Sequence, residues 1–389
     1  MSLVFFILAP FLTFIASCTN LERRANQIVF VLFFALFGYC HTFEDTRADS
    51  YRKYIKFNNY TTQDVGSIIG DFTDGDTKDI FEELLFSVTK SLTDNPHILM
   101  MFVGLFGGFF YMLVVKRFLE DKKMRYTVPI AILLGFMIIE SNIPLMGGIR
   151  NFCAFPLFMY SMIRVLIDGK RIWLIGLLLT PLIHFGYIIA VAAALLIWLI
   201  NIPTKLLHYL AVIACVASLF MTTSSYISAI DVFADVMDNE AIVDRVSNYG
   251  DEATEEHFNE SLTTRLIKIN NQISACFIAL LLIYIRRNRE RFITTEYLTK
   301  MYRYLLFFIA LSFATISFSV VGQRYVYIAM ILLYFMLLNI YQNNSESRIA
   351  TFIKAMPVVY ILHILWTAYN CYCNTGFDIY WMPMPFLML

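Results

Sequence analysis

Two arginines stand where long apolar runs begin. Arg150 lies in "GGIRNFCAFPLFMY" (147–160) and Arg324 in "VVGQRYVYIAM" (320–330). A guanidinium offers planar, paired N–H donors that fit phosphate oxygens. A charge at the bilayer centre costs about 2.5–3.5 kcal/mol on insertion scales, less at a helix end where it can reach headgroups. Interfacial anchoring is therefore the competing role for both. His184, in "TPLIHFGY" (180–187), carries an imidazole that exchanges a proton near neutral pH. It could serve as a general base, or it could hydrogen-bond the backbone at a chain break. Glu140 ends the apolar run before Arg150, as a second acid–base candidate or as an interfacial acid facing water. Asp45, Asp49, Tyr51 and Tyr54 open a polar stretch in "EDTRADSYRKYIKF" (44–57), and Glu82 and Glu83 close it in "DIFEELLFSV" (79–88).

Other chemistries find less support. "DFTDGDTKDIFE" (71–82) begins and ends like a calcium loop, but Asp74 and Asp76 fall at positions 4 and 6. That loop needs ligands at 3 and 5 and glycine at 6. The seven cysteines lack metal-ligand spacing, and Cys371 and Cys373 are too close for an unstrained bridge. "FIASC" (14–18) resembles a lipoprotein cleavage site, but its positive charges, Arg23 and Arg24, follow the apolar run instead of preceding it. The first run is expected to stay as a span. No phosphate-binding loop, dinucleotide fingerprint, serine elbow or zinc motif is present. Zero formal net charge gives no global field for nucleic acid.

The elements that must position these residues are membrane helices. The chain is 59% hydrophobic over 389 residues, above the roughly 45–50% of soluble domains. Apolar segments fall near 2–19, 27–40, 97–115, 127–143, 151–167, 172–200, 206–226, 266–285, 301–320, 324–341 and 350–370. Two loops, "KRFLEDKKMR" (116–125) and "RRNRERF" (286–292), are strongly basic and belong inside. An even number of crossings must then separate them. Taking 172–200 as one helix gives an odd number. As a helix that segment would run about 43 Å, against a core of about 30 Å, and Pro181 sits within it. A turn near 180–187, or a re-entrant pair, restores parity, and such backbone persists only when buried in protein or lining a wet cavity. His184 sits at that turn.

The rest of the topology follows. All of 1–389 reads as a single all-α, polytopic membrane domain of about twelve membrane segments, with 172–200 broken or re-entrant. Residues 41–96 form a first extracytoplasmic loop with 11 acidic and 6 basic residues. Residues 227–264 form a second, with an amphipathic element predicted over 232–246. Arg150, Arg324 and His184 then lie toward the outer face.

In chain order these features resemble the EpsG family of bacterial membrane proteins, relatives of Wzy-type O-antigen and capsule polymerases. The resemblance rests on "EDTRADSYRKYIKF" (44–57), "FEELLFSVTKSL" (81–92), and the block 147–196. In that block an arginine opens a helix, a short basic turn follows at 168–171, and a histidine opens the next apolar stretch. Arg324-Tyr325 fits a later arginine–aromatic pair. Family members often carry a further polar residue after the arginine and the histidine, where this chain has Asn151 and Phe185-Gly186.

The resemblance implies a GT-C-like, metal-independent membrane glycosyltransferase without cofactors. It would polymerise undecaprenyl-diphosphate-linked oligosaccharide units at the outer face of the bacterial cytoplasmic (inner) membrane. Its partners would be that lipid-linked substrate, the bilayer, a chain-length regulator and a flippase. Arg150 and Arg324 would hold the diphosphate, with His184 or Glu140 as base, or an acid of the first outer loop. Asp45, Asp49, Tyr51, Tyr54, Glu83 and Tyr325 would contact sugar. Two alternatives stay open. A flippase for the same lipid-linked unit would also need arginines and broken helices. A membrane acyltransferase would need a cytoplasmic donor site, for which the short inner loops leave little room.

Overall fold

The computed structural model describes residues 3–44, 48–74, 77, 79–120, 127–220, 262–316, 319–344 and 347–388. Asp45, the centre of the calcium-like loop, residues 121–125 of the first basic loop and the predicted 232–246 element lie outside the described residues. Every regular element among the described residues is helical. The chain divides into two compact units, residues 1–199 with 365–389, and residues 200–364.

In the first unit, α1 (Leu3–Leu8) and α2 (Pro10–Ser17) lead to α3 (Arg24–Tyr39). The loop expected to be the first outer one is itself helical, with α4 (Asp49–Asn58), α5 (Val65–Thr73) and α6 (Ile80–Leu92). Each start has a local cause. Asp49 sits in the first turn of α4 and Lys56 in the last, both complementing the helix dipole. Asp64 caps α5 by accepting from the Ser67 N–H at 3.0 Å. α7 (Pro96–Leu119) follows, capped by Asn95 and begun by Pro96. Its 24 residues span about 36 Å, enough to cross a bilayer.

α3 and α7 form the packing centre of this unit. A Cβ on Gly104 would stand 2.2 Å from the Phe34 carbonyl oxygen, and one on Gly108 would stand 2.5 Å from the Phe34 Cβ. The two glycines, one helical turn apart, let the α3 backbone lie directly on α7, as small residues do where apolar helices pack in lipid. Phe34 then stacks on Phe30 at 5.2 Å between ring centroids and reaches Phe152 at 6.3 Å.

α8 (Val128–Ile139) ends at Glu140. The chain turns through Asn142, the one non-glycine residue with positive φ among the described residues, and enters α9 (Ile149–Met162). A π-helical turn, Ile163–Ile167, carries α9 to Asp168. Asp168 takes the Arg117 guanidinium in a two-point pair at 2.8 and 2.7 Å and Arg164 at 2.9 Å. This joins the end of α7 to the end of α9 at the basic turn the sequence marks as inner.

The segment 172–200 is broken. α10 (Leu174–Ile183) stops at His184, whose backbone is extended at φ −151° and ψ 108°. A short 3-10 turn, Phe185–Tyr187, starts α11 (Ile188–Leu199). The stretches Arg171–Ile183 and Phe185–Leu199 are apolar but short, about 20 Å each, so neither alone crosses the core.

The second unit holds α12 (Thr204–Ala217), α13 (Leu262–Arg287), α14 (Glu296–Thr315), α15 (Ser319–Asn344) and α16 (Ser347–Val359). Buried His208 of α12 meets the Tyr302 hydroxyl of α14 at 3.1 Å. α17 (Ile361–Thr375) continues from α16 after a bend.

Four helical stretches among the described residues are long and apolar enough to cross a membrane: Pro96–Leu119, Val128–Leu145, Lys268–Arg287 and Arg324–Asn343. The bent pair Arg348–Val359 with Ile361–Thr375 makes a fifth if it is one span. Further apolar helices, including Arg24–Tyr39 and Thr204–Ala217, are shorter.

Candidate functional site

Three pieces of the first unit converge on Arg150. The first is the start of α9. Gly147 packs against Ser50, where a Cβ would stand 2.8 Å from the serine side chain, so the Arg150 turn lies on the first turn of α4. The second is the start of α6, and the third is the break at His184.

Asp79 joins them. It occupies the N-cap position of α6, where an aspartate ordinarily accepts from its own helix, yet its side chain makes no such bond. One carboxylate oxygen instead ion-pairs with the Arg150 guanidinium. The other accepts the Phe185 backbone N–H at 2.6 Å. That N–H belongs to the turn opened by the break, so Asp79 supplies a partner to a backbone donor that has left the helix. Tyr187 adds a second tie by donating its hydroxyl to Asn151 Oδ1 at 3.2 Å.

Around this hinge lies a balanced charge network, three cations facing three carboxylates. Glu82 is buried and takes Lys53 at 2.7 and 2.6 Å, Lys56 at 3.2 Å and Arg150 Nε at 3.5 Å. Lys56 also pairs with Glu83. Lys53, Lys56 and Arg150 thus face Asp79, Glu82 and Glu83. Burial pushes the Glu82 carboxyl up, but Lys53, Lys56 and Arg150 outweigh it and hold it below the ordinary carboxylate range. Burial pulls the Lys56 ammonium down, and Glu83 and Glu82 reverse that, leaving it above its ordinary value. Arg150 is not closed off, since 38% of its side chain is exposed.

Beside the network runs an aromatic ladder. Tyr51 meets Tyr54 at 6.1 Å, Tyr54 stacks on Phe43 at 5.0 Å, and Phe43 meets His97 at 5.3 Å. His41 lies under it, 1% exposed, with neither ring nitrogen hydrogen-bonded among the described residues. Burial, with His97 nearby, pushes its imidazole down to about 4.

The predicted site residues therefore separate. Arg150, His184, Glu83, Tyr51 and Tyr54 gather around α4, α6 and the broken segment. Asp49 is exposed and pairs with Arg52 on the surface of α4. Glu140 is buried at the end of α8, 2% exposed, instead of facing water. Tyr111 is close to it and donates to the Met137 carbonyl, so this acid is level with the middle of α7. Arg324 and buried Tyr325 lie within α15 of the second unit, past its start at Ser319 instead of at the helix start the sequence suggests, and no ion pair to Arg324 occurs among the described residues. Asp79 was missed because "DIFE" reads as an ordinary helix start, an acid followed three residues later by glutamate. His41 was missed because it lies at the end of an apolar run with no accompanying motif.

The fold and the site define an all-helical, membrane-embedded protein whose polar residues meet at a broken helix. The sequence model of the EpsG family matches residues 26–380, and the chain belongs to that family. This points to a membrane protein of the polysaccharide-polymerase type. No curated protein and no solved structure matches the chain significantly.

Proposed function

We propose that this protein polymerises undecaprenyl-diphosphate-linked oligosaccharide units at the outer face of the bacterial cytoplasmic membrane, as a GT-C-like glycosyltransferase with about twelve membrane segments. The bond between the sugar C1 and the diphosphate oxygen of the growing chain breaks. A bond from C1 to an acceptor hydroxyl oxygen of the next unit forms, and the lipid diphosphate leaves. Charge grows on the departing diphosphate, and fixed donors aimed at it lower the barrier. Arg150 takes this role with its exposed edge, and Arg324 is the second donor. The acceptor proton goes to a base beside the break, for which His184 and the outer-loop acid Asp79 are the candidates. Tyr51 and Tyr54 offer ring faces to sugar.

One observation carries this reading. The Phe185 N–H to Asp79 to Arg150 chain holds the break and the arginine in one fixed geometry, and fixed geometry is what electrostatic stabilisation requires. The test is Arg150→Ala and Arg324→Ala in cells, with membrane levels of each variant checked by immunoblot. Gels of surface glycan are expected to collapse from a ladder to single repeat units. Wild-type ladders from both variants at normal levels would refute the assignment.

A further inference from the structure

An open groove of about 590 Å³ runs along α10, walled by α6, α7 and α9. Its walls are hydrocarbon and aromatic. Phe81 meets Phe106 at 5.0 Å and Phe106 meets Phe110 at 5.0 Å, forming one side. Ile175, Leu179 and Leu182 form the other. One end is built from Ile80 and Ile183, which adjoin Asp79 and His184 in the chain. The other end, Ile172 and Trp173, adjoins the basic turn at Lys170 and Arg171. By helix rise the ends are roughly 17 Å apart.

We infer that this groove seats the isoprenoid tail of the lipid-linked substrate, with the diphosphate at the exposed edge of Arg150. The inference rests on the polymerase reading. Walls that are almost wholly apolar, with the Trp173 indole N–H as the one side-chain donor among the lining residues, penalise a polar occupant, so the occupant is hydrocarbon. The groove is open and not an enclosed cavity, which suits a chain entering from the bilayer. Its outer end, at Ile80, is next in the chain to Asp79, whose carboxylate pairs with the 38% exposed Arg150 guanidinium, and a phosphate head suits the free edge of that guanidinium. One ligand meeting both conditions is a long hydrocarbon ending in an anionic phosphate. Short, broken α10 leaves the lipid-facing notch in which the tail lies.

The test uses full-length protein in nanodiscs and a polyprenyl diphosphate carrying a diazirine in its tail. Label is expected on peptides spanning 80–84, 106–110 or 172–183. Excess unlabelled polyprenyl diphosphate should displace it, and phosphatidylglycerol should not. Leu179→Trp narrows the groove. It should reduce labelling and raise the concentration of lipid-linked unit for half-maximal polymerisation about tenfold, the effect of roughly two lost methylene contacts. Leu178 is 58% exposed on the same helix outside the groove, so Leu178→Trp should change neither. Label elsewhere, equal displacement by phosphatidylglycerol, or no effect of Leu179→Trp overturns the tail site. If the groove labels as expected while the wild-type protein makes no polymer from lipid-linked units, the polymerase reading fails and the tail site stands. If polymer forms and label falls elsewhere, only the tail site fails.

Discussion

Asp79 shows how a residue can be ordinary in sequence and central in structure. An aspartate before a helix is expected to cap it. Here the cap is given up for Arg150 and the Phe185 N–H. Removing Asp79 takes away the acceptor of the Phe185 N–H and one of the two carboxylates on Arg150, the other being Glu82, at a cost of about 1–3 kcal/mol. Asp79→Ala is therefore expected to lower the melting temperature of the detergent-purified protein by several degrees, whereas Asp49→Ala, on an exposed pair, should stay within about 1 kcal/mol of wild type. Equal melting temperatures for Asp79→Ala and wild type would remove Asp79 from the hinge. The network also sets a pH window. Glu82 titrates below its unfolded value, so its contribution is full above about pH 4.3 and is lost as pH falls through the lower folded value. Lys56 titrates above its unfolded value, so its contribution is full below about pH 10.4 and is lost as pH rises through the higher folded value. Thermal melts from pH 7 down to 3 should fall more steeply for wild type than for Glu82→Gln; parallel curves would count against the network. Arginine and histidine at apolar boundaries were legible because a charge there is costly and conspicuous. The Glu82 role was not, because adjacent glutamates on an amphipathic helix differ only in the direction they face.

Elements were legible where hydropathy alone decides them. The break in 172–200 follows from excess length, a proline and the parity of basic loops, and the backbone departs from helix at His184. Proline alone does not account for its place, since Pro181 lies inside α10 and the helix runs on to Ile183. The Asp79 tie to Phe185 explains why the chain leaves the helix there, and that tie spans 106 residues of sequence. In the loop 41–96 only 79–88 was legible in the sequence as amphipathic, although α4 and α5 are amphipathic as well; both are short, and neither contains an apolar run long enough to stand out by hydropathy. Close packing of α3 on α7 gives a sharp test. A Cβ at Gly104 would meet the Phe34 carbonyl at 2.2 Å, whereas one at Gly135 in α8 meets nothing within 4 Å. Backbone cannot step aside as a side chain can, so Gly104→Ala should destabilise by about 1–3 kcal/mol or more. Gly135→Ala should be neutral or stabilise by up to about 1 kcal/mol through helix propensity. Matched expression levels and melting temperatures of the two variants would show that α3 and α7 do not pack as described.

At the scale of the molecule, composition already required a membrane protein, and the all-helical fold with four or five candidate spans agrees. Segment counts are harder to read, because apolar helices such as Arg24–Tyr39 and Thr204–Ala217 are shorter than a bilayer-crossing helix. Hydropathy responds to both kinds and cannot separate a full crossing from a half-crossing. Charge can separate them. Arg117 and Arg164 meet on Asp168 at one end of α7 and α9, and Arg286 and Arg287 end α13. If positive charge marks the inner side, both ends face the cytoplasm, and the chain from 128 to 285 crosses an even number of times. With the segments read from sequence, that holds only if α10 and α11 return to the side they came from or cross as two. Reporter fusions after Glu120 and after Phe292 are therefore both expected to read cytoplasmic, and a fusion within 227–260 extracytoplasmic. A fusion after Phe292 that reads extracytoplasmic would make 172–200 a single crossing. The helix that carries Arg324 would then start from the cytoplasmic face, and the two arginines could not share an outer site.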